Sequence, residues 1–213
     1  MSDEAAPVVD VVTGTATLWD WRRRVADLFA TIRASNDPAG AWRLWRDTRA
    51  DLFANHPQTP LDPGGALPSY FDYDPALRFA VDLAPAVTKD PIYMPAGGDG
   101  EVQLTPFAQT AGLQGQLGGE LTLYWVGGYG GGVFLPFLDA TSNKETYGGG
   151  RYLLDTIKSA DHGKTPDGKT VVDFNFAYNP SCFYSPRWVC PLSPRGNRLA
   201  APVRGGEKLG AGY

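Results

Sequence analysis

Leu18, Trp21, Val25, Leu28, Phe29 and Ile32 recur at spacings of three and four, which sets them along one stripe of an α-helix. Arg22, Arg23 and Arg24 fall largely off that stripe. Thr17 and Asp20 stand at capping-box spacing, with Asp in place of the usual Glu. The helix is therefore expected to start there, behind a disordered lead-in over residues 1–14. Ser35-Asn36-Asp37-Pro38 closes this helix and opens another. Asp37 suits the N-cap and Pro38 the first helical position, where no amide hydrogen is needed. The second helix is expected to reach about Phe53, bury Trp45, Leu52 and Phe53, and stop before Asn55-His56-Pro57. Together the two make a helical hairpin over residues 15–56.

Residues 57–76 are proline-rich and without period, a linker lying over the body. Beyond them the period becomes two. Phe79, Val81 and Leu83 alternate with Arg78, Ala80 and Asp82, the pattern of a half-buried strand. Short strands are expected over residues 91–94 and 101–104. Leu121, Leu123 and Trp125 alternate with Thr122 and Tyr124, and residues 133–137 form an apolar run that Pro136 pushes toward an edge or a bulge. Residues 171–178 alternate again, with Val172, Phe174 and Phe176 on one side. Closely spaced short strands with Gly-rich turns predict an antiparallel β-barrel or sandwich of about seven to nine strands over residues 77–213. The fold class is mainly β within an α+β chain.

Composition narrows this picture. At 213 residues, with 43% hydrophobic and 20% charged residues, the chain fits one packed domain with an appendage. Its 26 glycines and 18 prolines demand many turns. A net charge of -4 argues against nucleic acid as partner, since phosphate neutralisation needs a basic surface. The basic residues near the end (Arg187, Arg195, Arg198, Arg204 and Lys208) read as a solvated tail. No apolar stretch approaches the length of a membrane span, so no membrane association is expected. The Met1-Ser-Asp-Glu start is acidic where a secretory signal would be basic. The expected location is the cytoplasm.

The side chains able to carry chemistry crowd into residues 145–191. On a regular strand, Asp173 and Asn175 would project opposite Phe174 and Phe176, about 6.6 Å apart, and Tyr178 would join the phenylalanine side unless a bulge near Ala177 turned it. The loop Tyr147-Gly-Gly-Gly-Arg151 offers backbone N–H groups beside a guanidinium, which is either an anion cradle or a tight turn. It matches neither a phosphate-binding P-loop nor G-x-G-x-x-G. Glu145, Asp139 and Asp173 permit a general acid–base pair. Cys182 and Cys190 are the only cysteines. Three readings compete: free thiols in a reducing compartment, a bridge worth about 2.5 kcal/mol, or a thiolate or redox pair near Arg187. The spacing is not Cys-x-x-Cys, and His56 and His162 lie in loop-like contexts, so no metal site is expected. No Gly-x-Ser-x-Gly elbow is present.

Phe137-Leu-Asp139, Glu145-Thr-Tyr147-Gly-Gly-Gly-Arg151-Tyr152, Asp173-Phe-Asn175-Phe-Ala-Tyr178-Asn179-Pro-Ser-Cys182, Cys190-Pro191 and Asn197-Arg-Leu199 together resemble the uncharacterised domain-of-unknown-function family 1684 of bacteria and archaea. The likeness is dense over residues 133–208, and Asn55-His56-Pro57-Gln-Thr-Pro-Leu61 resembles that family's helix-to-barrel junction. The resemblance implies a soluble intracellular β-rich domain behind a helical N-terminus, and no activity. Its motif positions here are Glu145, Tyr147, Arg151, Asp173, Asn175, Tyr178, Asn179, Cys182, Cys190, Asn197 and Glu207. Gly205 and Ser193 depart from the pattern.

Three functions compete for these residues, one of them thiol redox chemistry at Cys182, tested by Cys182→Ser. The first is a small-molecule-binding protein with a pocket at one end of the strands. Arg151 would pair with an anionic group, and Asn175, Asn179 and Cys182 would complete the polar lining. Tyr147 or Tyr178 would stack on the ligand. Glu145 and Asp173 would serve as acid and base if the protein is a hydrolase or transferase working without a cofactor. The second is an internal polar network, with Arg151 bridging Glu145 or Asp173, the asparagines tying loops, and a protein partner meeting the helices.

Overall fold

The computed structural model describes residues 11–97 and 100–210. Residues 1–10 of the expected lead-in lie outside the described residues, and the next four are already helical: α1 spans Val11–Ala34. Thr17 is thus inside the helix, where its hydroxyl donates back to the Gly14 carbonyl at 2.9 Å. A threonine hydroxyl reaches a carbonyl one turn back as readily as it caps a free amide, and the spacing alone could not tell the two apart. The second helix begins as expected. α2 spans Pro38–Asn55, and the Asp37 carboxylate accepts the Gly40 N–H at 2.9 Å. Leu28, Phe29 and Ile32 of α1 pack with Ala41, Trp42 and Trp45 of α2. The same cluster takes in Ala160 and Phe176 from the β-rich part, so the hairpin is docked on the body. No helix among the described residues is long and apolar enough to cross a membrane.

Nine strands occur among the described residues: β1 Ser69–Tyr70, β2 Arg78–Pro85, β3 Ile92–Pro95, β4 Glu101–Ala111, β5 Thr122–Val126, β6 Gly132–Phe137, β7 Arg151–Asp155, β8 Thr170–Asp173 and β9 Glu207–Lys208. Seven form one sheet in the order β7-β6-β5-β4-β2-β8, with β3 also on β4. All its pairs are antiparallel. β2 turns a corner, since Arg78 to Val81 pair with β8 and Asp82 to Pro85 with β4. The two ends approach through Tyr152 and Tyr178, which exchange both backbone hydrogen bonds at 2.8 and 3.0 Å. The result is a nearly closed barrel. Its inside is filled by Val81, Leu121, Leu135, Phe137, Leu153 and Phe174, among others.

Two register shifts bend the sheet. The one between Leu135 and Pro136 falls where proline was expected to interrupt pairing. The other, between Pro106 and Ala108, lets β4 run for 11 residues where only 101–104 was expected. A separate two-stranded pair sets β1, inside the expected linker, against β9 near the chain end.

The expected strand over residues 171–178 is cut in half. β8 stops at Asp173, whose carboxylate accepts the Asn175 N–H at 3.1 Å and caps a 3₁₀ turn over Phe174–Phe176. Aspartate bonding an amide two residues on offers the backbone an alternative to the ladder. Phe174, Asn175 and Phe176 are consequently all buried, and the two-faced reading of this stretch does not hold.

His162 is buried between Phe29 and Phe176, with ring centroids 5.6 and 4.9 Å away. Burial pushes its pKa down to about 4. The unfolded chain, with an ordinary histidine pKa near 6.5, then binds more protons than the folded one between these values. Stability from this residue is fully present above about pH 6.5 and is lost as pH falls through about 4. Urea unfolding at pH 7 and pH 4 should show His162→Leu losing about 3 kcal/mol less than the parent chain on acidification. Equal losses in both proteins would contradict this.

Candidate functional site

Arg151, the first residue of β7, is 1% exposed. Its Nη2 donates to Asp139 Oδ2 at 2.6 Å and to the Val203 carbonyl at 2.8 Å. Its Nη1 donates to the carbonyls of Gly205 and Glu207, and the guanidinium lies 5.1 Å from the Phe137 ring centroid. Asp139 is held in turn by the N–H and hydroxyl of Thr141. Arg151 therefore clamps the chain segment 203–207 from inside the protein. The close approach here has a backbone reason. Gly206 has φ +73, and a Cβ on it would sit 2.2 Å from the Ala177 oxygen. A Cβ on Gly205 would come within 2.8 Å of Leu77 Cδ1 and 3.0 Å of the Phe174 oxygen.

Asp173 belongs to a second network. It is fully buried and accepts from Arg78 Nη1 at 2.9 Å and from Asn175 Nδ2 at 2.9 Å. Burial raises its pKa against the opposing pull of Arg78. The Asn175 amide also bonds both backbone groups of Asp74, at 2.9 and 2.8 Å, tying the 3₁₀ turn to the loop before β2. Glu145 stands apart from both networks. It forms a two-pronged ion pair with Arg204 at 2.8 and 2.9 Å near the surface, and that contact lowers its pKa. Asn197 spans β5 and β6, bonding the N–H and carbonyl of Thr122 at 2.7 and 3.0 Å and the Pro136 carbonyl. The structure does not gather Glu145, Arg151, Asp173 and Asn175 around one hollow.

A third network does face a hollow. A cleft of about 520 Å³ opens between the hairpin and the barrel, walled by Trp21, Phe53, Tyr152, Tyr178, Tyr184 and Cys190. Arg49 and Asn179 line it as well. The Arg49 guanidinium stands 4.6 Å from the Phe53 centroid and 4.9 Å from that of Tyr178, and its Nε donates to Glu207. Glu207, with no exposed surface, also accepts the Asn179 N–H and the Tyr184 hydroxyl, each at 2.6 Å. The Asn179 side chain itself is 1% exposed, and neither its oxygen nor its nitrogen has a hydrogen-bond partner. Among the described residues the outer nitrogens of Arg49 make no hydrogen bond.

Of the expected site residues, Tyr178 and Asn179 reach this cleft. Cys182 lies behind it, its amide N–H donating to Cys190 Sγ at 3.4 Å. Tyr147 is one layer further out, its hydroxyl 3.9 Å from Cys182 Sγ and its ring 5.3 Å from that of Phe183. Burial pushes the Tyr147 phenol up to about 12. The sequence reading missed Arg49 and Trp21. For Arg49 a signal exists: it stands four residues from both Trp45 and Phe53, which puts an arginine on the buried stripe of α2.

Replacing Arg151 by Met should leave Asp139 buried and unpaired, at a cost of about 3–5 kcal/mol in urea unfolding. Adding Asp139→Asn should recover a large part of that loss. A single-variant cost below about 1 kcal/mol would remove Arg151 from the centre of the first network.

No curated protein matches the chain. The chain is similar to the solution NMR structure of an uncharacterised protein from Haloarcula marismortui, with 28% identity and a TM-score of 0.55. That match covers 79% of this chain and 92% of the other. The family model described as "Protein of unknown function (DUF1684)" matches residues 67–208. The segment holds all three networks except Arg49, and the chain belongs to that family.

Proposed function

We propose that the protein binds a small amphipathic molecule in the cleft between hairpin and barrel. The apolar part lies among Trp21, Phe53 and the tyrosines. An anionic or otherwise polar head meets the outer edge of Arg49 and the Asn179 amide. The role first given to Arg151, pairing with the ligand's negative charge, passes in this reading to Arg49. One observation carries the proposal: the Asn179 side chain is buried in the cleft wall with donor and acceptor both unmet. An orphaned buried polar group costs about 1–3 kcal/mol, and native proteins rarely keep one without a reason. Both atoms are closed to solvent within the wall, so a ligand head offering an acceptor and a donor supplies the missing bonds as the wall opens locally around it.

The reading is one of binding, without a catalytic pair. Glu145 is engaged by Arg204 and Asp173 by Arg78, and neither lines the cleft. The internal-network reading accounts for those residues and for Arg151 and Asn175, so the two readings divide the motif between them. A net charge of -4 fits a small-molecule partner better than nucleic acid. Unbridged cysteines fit the cytoplasm.

Native mass spectrometry of protein purified from its host, followed by thermal shift with a panel of aromatic and aliphatic carboxylates, tests the proposal. Asn179→Leu removes the orphaned amide while keeping the backbone N–H that Glu207 accepts. It should therefore leave the unliganded melting temperature unchanged or higher and weaken the ligand-induced shift about tenfold in concentration. The proposal fails if the parent protein retains no ligand and no compound in the panel shifts it. It also fails if Asn179→Leu destabilises the empty protein by several kcal/mol, the mark of a structural amide.

A further inference from the structure

The cleft carries a second feature that ligand binding does not use. Cys190 stands in its wall near Tyr152 and Lys158, and Cys182 lies directly behind. The seven-residue stretch joining them is pinned by its own side chains to the chain between α2 and β1. Arg187 Nη2 donates to the carbonyls of Thr59 and Leu61 at 2.9 and 3.0 Å. Trp188 Nε1 donates to the Pro60 carbonyl at 3.1 Å, and Ser185 Oγ to Asp62 at 2.9 Å. The two sulfurs are thus brought together by the fold, with no covalent bond between them. Both residues are half-buried, so solvent and small molecules have access.

We propose that Cys190 and Cys182 form a reversible dithiol–disulfide pair that exchanges with low-molecular-weight disulfides entering the cleft, Cys190 attacking and Cys182 resolving. The asymmetry follows from the hydrogen bonds. Cys182 offers its backbone N–H to Cys190 Sγ at 3.4 Å, so Cys190 is the sulfur that accepts. Contact with the Cys182 side chain, the Cys182 N–H, the Lys158 charge and the Ser181 N–H together draw the Cys190 thiol below its ordinary pKa against burial. Contact with the Cys190 side chain and burial push the Cys182 thiol up. Cys190 is thus the sulfur that both faces the cleft and accepts an N–H, the better placed of the two to carry the thiolate.

In the first step the Cys190 thiolate attacks one sulfur of the small disulfide. A new S–S bond forms, the old one breaks, and a small thiolate leaves and takes a proton from water. In the second step Cys182 gives up its proton and attacks the Cys190 sulfur of the mixed disulfide, expelling the second small thiol. Counted from the thiolate–thiol form, the protein loses two electrons and one proton, water supplies the second proton, and one small disulfide becomes two small thiols. Because the loop already holds the sulfurs together, closing the ring competes well against a second small thiol. The internal disulfide, not the mixed one, is the product at equilibrium.

The experiment uses the full chain and glutathione as the probe. After equilibration with excess oxidised glutathione and acid quenching, intact mass should show the parent protein lighter by two hydrogens and free of adduct. Cys182→Ser should trap one glutathione on Cys190, and Cys190→Ser should form its adduct at least about tenfold more slowly. Iodoacetamide alkylation of the parent at Cys190 should rise with pH around a midpoint below the ordinary thiol value of about 8.5. Two free thiols surviving the glutathione treatment in the parent protein would overturn the proposal, as would a Cys190 midpoint at or above that value. These measurements need no cleft ligand, so they stand or fall separately from the binding reading.

Discussion

The buried carboxylate of Glu207 is the contact on which the arrangement turns. Stripping a carboxylate of water costs several kcal/mol unless charge and hydrogen bonds replace the lost solvation. Here the replacements come from three parts of the chain: Arg49 from the hairpin, the Asn179 amide following the 3₁₀ turn, and Tyr184 from the helical turn Ser181–Tyr184. The backbone of the same residue pairs with Tyr70 of β1, and its carbonyl accepts from Arg151. One side chain thus couples the hairpin, the barrel closure and the chain end. Separating any of them would strand a charge.

That coupling also explains why a cleft exists at the hairpin–barrel seam. Two purely apolar faces would close until their side chains interdigitated, as they do around Trp45 and Phe176. Further along α2, a guanidinium and a carboxylate must meet in fixed geometry, flanked by the rings of Phe53 and Tyr178. Their length sets the separation there. The aromatic walls remain, but no described residue fills the space between them or bonds the Asn179 side-chain amide.

The hairpin was legible because its signals are local: the period of α2 and the Asp37-Pro38 start are properties of neighbours in sequence. The antiparallel barrel was legible as a class, from alternation and turns. Two local readings failed where a short polar side chain served the backbone differently than supposed. Thr17 bonded backward within α1, and Asp173 folded the presumed strand into a turn. The site was less legible for a different reason. Sequence displays one arginine and three acidic candidates, but only tertiary geometry selects Asp139 for Arg151, Arg78 for Asp173 and Arg204 for Glu145. Arg49 could have been suspected from its place on an otherwise apolar stripe, since a cation on a buried face must find an anion.

The dense polar motif invites a catalytic reading, yet most of it is consumed by structure. A segment that ends a barrel without joining its main sheet has carbonyls to satisfy. Arg151 takes three of them at Val203, Gly205 and Glu207, as a backbone away from water requires. Trp42, Tyr70 and His162 also bury polar atoms without a partner, but within this region the groups left over are the Asn179 amide, the outer edge of Arg49 and the Cys190 sulfur. These three line the same cleft. A residue spent on holding the fold has its partners inside the protein; one kept for function must leave a valence open toward something else. By that criterion both of our proposals lie at the seam between hairpin and barrel, while the buried partners of Arg151 are all within the frame.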